Sequence, residues 1–237
     1  MKKIGHYTVI IVLLMLVACG TDGNGESQSQ QSDMEEADTS AEMITYESEN
    51  GPVEVPANPE RVVVLSTFAG DVIKLGVPVV GADSWSMDNP NFADALKDAE
   101  LVSDESLEKI IELEPDLIIG LSTIKNVDHL KEIAPTVTFT YGKVNYLEQH
   151  IEIGKLLNKE EEARNWVDDF TQRATEIGEQ IKEEIGEDAT VSVIEDYDKQ
   201  LYVFGDNWGR GTEILYQAMG LKMPKSVEEM AVTDGYY

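Results

Sequence analysis

The sequence predicts an α/β protein made of two lobes with mostly parallel sheets, joined by one long helix. Three observations predict this class. Short, continuously apolar runs alternate with helical patterns over residues 61–141, one amphipathic pattern runs from Lys159 to Ile185, and strand patterns resume after it. Continuous apolar runs are typical of parallel strands that helices cover on both faces. A chain of 237 residues is long enough for one large or two small domains.

The first twenty residues have the pattern of a secretion signal. Lys2 and Lys3 precede an unbroken apolar run from Val9 to Ala18, and Cys19 follows directly. A run of about 10 apolar residues is too short to cross a bilayer, which takes about 20, but it suits the core of a signal peptide. Residues 1–18 are therefore predicted to be a signal peptide.

A flexible acidic tether is predicted over residues 19–42. From Gly20 to Glu42 the chain consists largely of Gly, Ser, Gln, Asp and Glu, with almost nothing to bury. Such a composition does not offset the entropy lost on ordering the chain.

The N-terminal lobe is predicted to span residues 43–157. It begins with a β-hairpin, because the strand patterns at residues 44–46 and 53–55 flank Asn50-Gly51, a pair that favours tight turns. Gly76 and Pro115 end helical patterns further on. Parallel strands are expected at residues 61–66, 79–82, 116–120 and 136–141, with helices at residues 71–75, 106–113 and 126–133.

A bridging helix is predicted over residues 158–186. Asn158 is the expected N-cap and Glu161 the third helical residue of a capping box. One face of this helix is apolar, with spacings of four, four, three, four and four residues along Trp166, Phe170, Ala174, Ile177, Ile181 and Ile185. At about 1.5 Å per residue the helix is roughly 40 Å long, which is more than one small sheet needs.

Residues 187–237 are predicted to start a C-terminal α/β lobe, with strands at 190–194 and 201–205 and a helix at 211–219 that ends at Gly220. About 50 residues are too few for a lobe that matches the first. The chain is therefore expected to lack the end of this lobe.

Composition excludes several classes of function. The net charge is 18 − 46 = −28, and a chain this acidic repels a nucleic-acid backbone. With Cys19 as the one cysteine, neither a disulfide within the chain nor a Cys-rich metal site is possible. An enzyme is not predicted, because the sequence has no GxSxG elbow, no phosphate-binding loop and no GxGxxG after a first strand. His129 and His150 are expected to be solvent-exposed. They are the two histidines left after removal of the predicted signal peptide, and two cannot make a three-histidine zinc or manganese site.

A family resemblance rests on several motifs together. Leu16-Val17-Ala18-Cys19 resembles the lipobox of bacterial lipoproteins. The segments at residues 58–63, 107–110 and 113–119, followed by the long helix, resemble solute-binding lipoproteins of iron-siderophore ABC importers. The segment from Tyr202 to Gly211, which reads YVFGDNWGRG, is similar to the ferric-hydroxamate branch.

The resemblance implies a fold, a location and partners. Two lobes would face each other across a shallow cleft, and the protein would deliver its ligand to an ABC permease. Lipidation of Cys19 would anchor the protein to the outer face of the cell membrane. The protein is expected to act as a monomer and without a cofactor. Glu108 corresponds to a glutamate that meets permease arginines in that family. By sequence alone it would be an ordinary solvated helix residue.

Ligand chemistry can be weighed separately from the resemblance. A ferric trihydroxamate is nearly neutral, whereas a ferric triscatecholate is strongly anionic and calls for clustered Arg and Lys. The candidate binding residues combine aromatic rings with one cation, and they are Tyr141, Tyr202, Trp208, Arg210 and Trp85. The iron is expected to stay in its chelator without a protein ligand. A catecholate, citrate-type, haem or cobalamin ligand remains the alternative, and surface packing remains the alternative role for these side chains.

Overall fold

The structure is a computed structural model that describes residues 42–237. The predicted signal peptide, Cys19 and the tether up to residue 41 lie outside the described residues. Within the described part of the chain, no helix is both long and apolar enough to cross a bilayer.

The chain starts with the predicted β-hairpin. Strand β1 (Met43–Ser48) pairs antiparallel with β2 (Gly51–Pro56), and Ile44 lies opposite Val55. Gly51 takes a φ of 103°, a left-handed backbone conformation that glycine adopts without steric cost. The tight turn at Asn50-Gly51 is thereby confirmed.

A five-stranded parallel sheet forms the centre of the N-terminal lobe, in the order β5-β4-β3-β6-β7. Its strands are β3 (Val62–Val64), β4 (Val79–Ala82), β5 (Glu100–Leu101), β6 (Leu117–Leu121) and β7 (Thr136–Phe139). The short strand β5 was not predicted. The other four lie where the continuous apolar runs predict them, although β7 ends at Phe139 rather than at residue 141.

Alternation along the strands divides the core into two clusters. Val62, Val64 and Ile119 belong to a cluster that also contains Phe68 and Phe139. The neighbouring residues Val63 and Ile118 belong to a second cluster, together with Ile110 and Leu130. Successive side chains of a strand point to opposite faces, so both faces of the sheet are covered and the strands are apolar throughout.

Five short helices accompany this sheet: α1 (Ala69–Lys74), α2 (Ser84–Met87), α3 (Leu107–Glu112), α4 (Val127–Ile133) and α5 (Tyr146–Leu156). A further short helix, α7 (Lys225–Ala231), belongs to the C-terminal part of the chain. Helix α5 was not predicted. It carries a capping box, in which the Asn145 side chain accepts from the backbone N–H of Glu148 at 2.9 Å and the Glu148 carboxylate accepts from the Asn145 N–H at 3.3 Å.

The long helix α6 (Glu160–Ile185) is confirmed, but its predicted capping box is wrong. Lys159 is the N-cap and makes no side-chain capping bond. Asn158 has a φ of 56°. It lies just after the last residues of α5, where a left-handed Asn commonly ends a helix, so it terminates α5 instead of starting α6.

Helix α6 packs against α5 near its start and against the C-terminal part of the chain further along. Ala163, Ala174 and Gly178 are its buried residues. On the predicted apolar face, Trp166 and Phe170 are half-buried, while Ile177 and Ile185 are exposed.

The C-terminal part begins with an antiparallel hairpin of β8 (Ile194–Tyr197) and β9 (Gln200–Val203). The predicted strand at residues 190–194 is wrong, since Thr190 makes only an isolated bridge to Lys222. The predicted helix at residues 211–219 is present at Glu213–Ala218 but is a π-helix. Its wider winding shows in the bond from the Met219 N–H to the carbonyl of Ile214, five residues back.

Candidate ligand-binding site

A cavity of about 250 Å³ opens at the carboxyl ends of strands β3 and β7. Thr67 and Phe68 follow β3, and Tyr141 and Gly142 follow β7. Ligands of parallel α/β sheets typically bind at this edge, because the loops after the strands converge there. Helix α6 contributes Trp166 to the lining.

The C-terminal part closes the cavity from another side. Asn207 and Glu213 line it, and both flank the segment that carries Trp208 and Arg210. The same cavity therefore joins the loop after β7, the long helix and the predicted binding segment. Tyr141, 67% exposed, lines the cavity directly.

A buried hydrogen bond between a histidine and a carboxylate lies at the α5 side of the cavity. The Nδ1 atom of His150 is 2.8 Å from Oδ1 of Asp71 in α1, and the His150 side chain is 3% exposed. The prediction that His150 is solvated is therefore wrong. His129 does remain in solvent, with a side chain 64% exposed beside Glu132.

Aromatic rings hold this wall in place. The ring of His150 is 4.7 Å from that of Trp166, which stacks on Phe170 at 5.1 Å. Tyr146 meets Phe170 edge-on at 6.2 Å. Burial, and secondarily the nearby carboxylate of Glu213, raises the pKa of Tyr146, so its hydroxyl keeps its proton at neutral pH.

Backbone hydrogen bonds fix the loop that carries Trp208 and Arg210. The hydroxyl of buried Thr212 accepts from the Trp208 N–H at 3.1 Å and donates to the Gly209 carbonyl at 2.8 Å. The Glu213 carboxylate accepts from the Gly209 N–H at 3.0 Å. These bonds present the two side chains without a local apolar core.

Arg210 is held by two contacts. Its Nη2 is 3.1 Å from Oε2 of Glu195, and its guanidinium lies over the Phe204 ring, 5.1 Å from the centroid. Among residues 42–237, Arg210 pairs with Glu195 and not with the nearby Glu213, whose carboxylate accepts from the Gly209 N–H. About half of the Arg210 side chain stays exposed.

Trp208 belongs to an aromatic group with Tyr202 and Tyr236. The Tyr236 ring is 5.2 Å from the ring of Trp208 and 6.1 Å from that of Tyr202. Gly235 precedes it with a φ of 85°, and a Cβ there would collide with the indole of Trp208. Strand-like bonds between Tyr237 and Val203 keep this arrangement in place.

Tyr236 was missed by the sequence reasoning. No local pattern marks it, because it lies 34 positions beyond Tyr202 and is brought there by backbone pairing. The Gly-Tyr step before it is the nearest sequence signal, since glycine is favoured where another group approaches closely.

Of the predicted binding residues, Tyr141 lines the cavity, whereas Tyr202, Trp208 and Arg210 do not and adjoin it through Asn207. Trp85 and Glu108 lie apart from it. Trp85, 85% exposed, is on α2 and lines a separate surface depression with Asp88 and Asn89. Glu108 is exposed in the first turn of α3. Its neighbour Lys109 pairs with Glu100 at 2.7 Å. Among residues 42–237, no group of three or more His, Cys, Asp or Glu side chains is arranged to hold a metal ion.

The chain is similar to known binding proteins in sequence and in fold. Residues 62–228 match the family model described as periplasmic binding protein. The iron(3+)-hydroxamate-binding proteins YxeB and FhuD of Bacillus subtilis (strain 168) are 38% and 36% identical, over 99% of this chain and 72% and 73% of theirs. The structure of FhuD2 from Staphylococcus aureus with bound ferrioxamine B matches with a TM-score of 0.70 at 39% identity, over 76% of this chain and 70% of that one.

Proposed function

The chain belongs to the periplasmic binding protein family, and from this premise we propose that it captures ferric hydroxamate siderophores and delivers them to an ABC permease. It is a solute-binding protein that works outside the cytoplasm, and it is not an enzyme. The siderophore is its ligand and no cofactor is involved.

The charge of the cavity lining is the main observation in favour of a ferric hydroxamate as the ligand. Asp71 and Glu213 line it, and neither Lys nor Arg does among the described residues. A ferric triscatecholate carries about three negative charges, and even at the mouth of the cavity its binding would cost electrostatic repulsion from these two carboxylates. A nearly neutral ferric trihydroxamate avoids that cost.

Aromatic contact area supports the same assignment. Tyr141 lines the cavity, while Tyr202, Trp208 and Tyr236 form the exposed group beside it. Rigid rings give a bulky, weakly charged chelate a large contact surface at low entropic cost. Arg210 is the cation of this region, and its fork of N–H groups suits hydroxamate oxygens. Trp85 remains a proposed outer contact, in a separate depression.

A titration tests the ligand class. Tryptophan emission is followed while the protein is titrated with a ferric trihydroxamate, a ferric triscatecholate, ferric citrate, haem and cobalamin. We expect saturable quenching by the trihydroxamate at a Kd at least about tenfold below that of the others, a difference of ~1.4 kcal/mol. Tighter binding of any other ligand would overturn the assignment.

We also propose that a lipid on Cys19 holds the protein at the cell membrane, where it acts as a monomer. The support is the sequence Leu16-Val17-Ala18-Cys19 after an apolar run that suits a signal peptide. Replacing Cys19 by Ser should move the protein from the membrane fraction to the soluble fraction, whereas Ser27→Ala should leave it membrane-bound. Retention of the Cys19→Ser protein on membranes would contradict the anchor.

A docking role is proposed for Glu108. Its carboxylate is exposed and has no hydrogen-bond or ion-pair partner among residues 42–237, so it is available to an arginine of the permease. Lys109 does not neutralise it, because that ammonium is committed to Glu100 and to the Leu101 carbonyl.

A further inference from the structure

The α5 wall of the cavity contains three buried polar atoms that lack a hydrogen-bond partner within residues 42–237. They are the hydroxyl of Tyr146, the side-chain nitrogen of Gln149 and Nε2 of His150, and all three residues line the cavity. Buried polar groups nearly always have a partner, so a wall with three free ones indicates a group that the protein itself does not supply.

The available space limits that group to part of a ligand. A volume of about 250 Å³ lies below the 300–1,000 Å³ typical of sites that enclose a drug-sized molecule. A water molecule takes roughly 30 Å³ of liquid, so the cavity holds a flexible arm of several heavy atoms. A whole iron chelate does not fit inside it.

The donors and acceptors indicate the charge of the arm. His150 Nδ1 is committed to Asp71, so a neutral ring keeps a lone pair on Nε2. The free donors are the N–H groups of Gln149 and the O–H of Tyr146, and they are outnumbered by the lone pairs of His150 Nε2, of the Tyr146 oxygen and of the Asp71 and Glu213 carboxylates. An excess of acceptors is met by a group that only donates, and an ammonium is such a group.

The aromatic lining suits the same group. Phe68, Tyr146 and Trp166 line the cavity, and a cation within about 6 Å of a ring centre is attracted to the ring face. Trp166 already attracts one cation, since the ammonium of Lys74 lies 5.9 Å from its centroid. Lys74 itself is not part of the lining.

We propose that this cavity is a subsite for a protonated alkylamine arm of the hydroxamate chelator. The proposal rests on the function proposed above and narrows the ligand to chelators with a free, cationic end. An alkylammonium has a pKa near that of lysine, about 10.4, and stays charged at neutral pH. The ammonium of the arm donates hydrogen bonds to the acceptors at Asp71 and His150, and its methylene chain packs against the aromatic rings of the lining.

The test compares ligands that share one iron centre. The probes are ferrioxamine B, which ends in a primary amine, its N-acetylated derivative, whose end is neutral, and a cyclic ferric trihydroxamate without an arm. On the unaltered protein we expect ferrioxamine B to bind about tenfold more tightly than the acetylated form, the change typical of one charge-assisted hydrogen bond.

A charge-only variant locates the effect. Asn at position 71 keeps an oxygen that accepts from His150 Nδ1, so Asp71→Asn should reduce the preference for the amine to about twofold or less. Asp128→Asn, at an exposed position of α4, removes the same charge elsewhere and should leave the tenfold ratio. If Asp71→Asn does not fold, the ligand comparison on the unaltered protein still decides.

Each alternative result overturns the proposal. Equal affinities for all three probes would mean that the cavity holds only water, and tighter binding of the acetylated form would mean a neutral arm. A preference that survives Asp71→Asn would place the amine elsewhere. Failure of every hydroxamate to bind would instead refute the proposed function, so the two failures are distinguishable.

Discussion

Trp208 and Arg210 lie in a loop held by hydrogen bonds to Thr212 and Glu213, and each side chain is about half exposed. Arg210 has a φ of 55°, and its only ion pair among the described residues is with Glu195 near the surface. Such a side chain contributes little to folding, because exposed ion pairs are worth roughly 0–1 kcal/mol. Its free donors remain available to a ligand.

Trp208→Ala and Arg210→Ala should each weaken ferric-hydroxamate binding by about thirtyfold or more. Truncating an aromatic or arginine anchor typically costs ~2 kcal/mol or more once a ligand has desolvated it. Fluorescence titration measures the effect for Arg210→Ala, and calorimetry serves for the variant that lacks the indole. Tyr197→Ala, an exposed aromatic in β8, is the control and should bind as the parent does.

Thermal unfolding separates binding from packing in these variants. Changes outside the core usually stay within ~0.5 kcal/mol, so Tm should move little. Arg210→Lys should also bind less tightly than the parent, because an ammonium cannot place two parallel N–H groups on a chelate. Loss of affinity in step with loss of stability would indicate that these side chains only pack.

At the scale of elements, helix α6 approaches the C-terminal part most closely at Gly178. A Cβ there would collide with the carbonyl of Met219, which follows the π-helix. Small residues permit such contacts, and the N-terminal end of α6 has a second one, where a Cβ on Gly154 of α5 would lie 2.5 Å from the Cβ of Ala163. At each of these two contacts of α6, one of the facing residues is therefore a glycine.

Gly178→Ala should lower the free energy of unfolding by about 1–2 kcal/mol. Overpacking typically costs 1–3 kcal/mol, and a collision with backbone atoms belongs to the upper half of that range, about 2–3 kcal/mol. The better helix propensity of Ala returns ~1 kcal/mol of it. Denaturant unfolding measures the change. Gln180→Ala, on the exposed side of the same turn, should change stability by no more than ~0.5 kcal/mol. A Gly178→Ala protein as stable as the parent would mean that this contact is not tight in solution.

Elements with a simple apolar pattern were predictable, and those with a mixed face were not. Three of the five sheet strands, β3, β4 and β6, consist of apolar residues and glycine because both faces of the sheet are covered. Helix α5 was missed because its buried face includes His150 and Gly154, which interrupt the apolar period. The Asn158 cap was misassigned because α5, whose end it forms, was not recognised.

The candidate site was predictable only where its residues are close in sequence. Trp208 and Arg210 stand in one distinctive segment, whereas Asp71 and His150 are 79 positions apart and meet through the packing of α1 on α5. Tyr236 reaches Trp208 through a bridge to Phe204. No local sequence pattern indicates the contact of Asp71 with His150 or that of Trp208 with Tyr236.

At the scale of the whole molecule, the proposed ligand site and the proposed docking residue lie on different surfaces. The cavity lies at the carboxyl ends of β3 and β7, while Glu108 is exposed on α3 and does not line it. A net charge of −28 favours encounter with a basic surface, and individual exposed carboxylates decide where contact is made. The two functions should therefore respond to different substitutions.

Glu108→Ala should lower siderophore uptake about fivefold while leaving ligand affinity within about twofold of the parent. An exposed ion pair with a permease arginine contributes up to ~1 kcal/mol, which corresponds to about a fivefold change. Uptake of a radiolabelled ferric hydroxamate is measured in cells whose own copy is deleted and replaced by the variant. Glu112→Ala, an exposed glutamate at the other end of α3, removes the same charge and should transport normally.

Because the net charge is equal in the Glu108→Ala and Glu112→Ala variants, a difference in uptake between them depends on the position of the lost carboxylate. Equal uptake by both would remove Glu108 from the docking surface, and a parallel fall in ligand affinity would move its effect to the binding step.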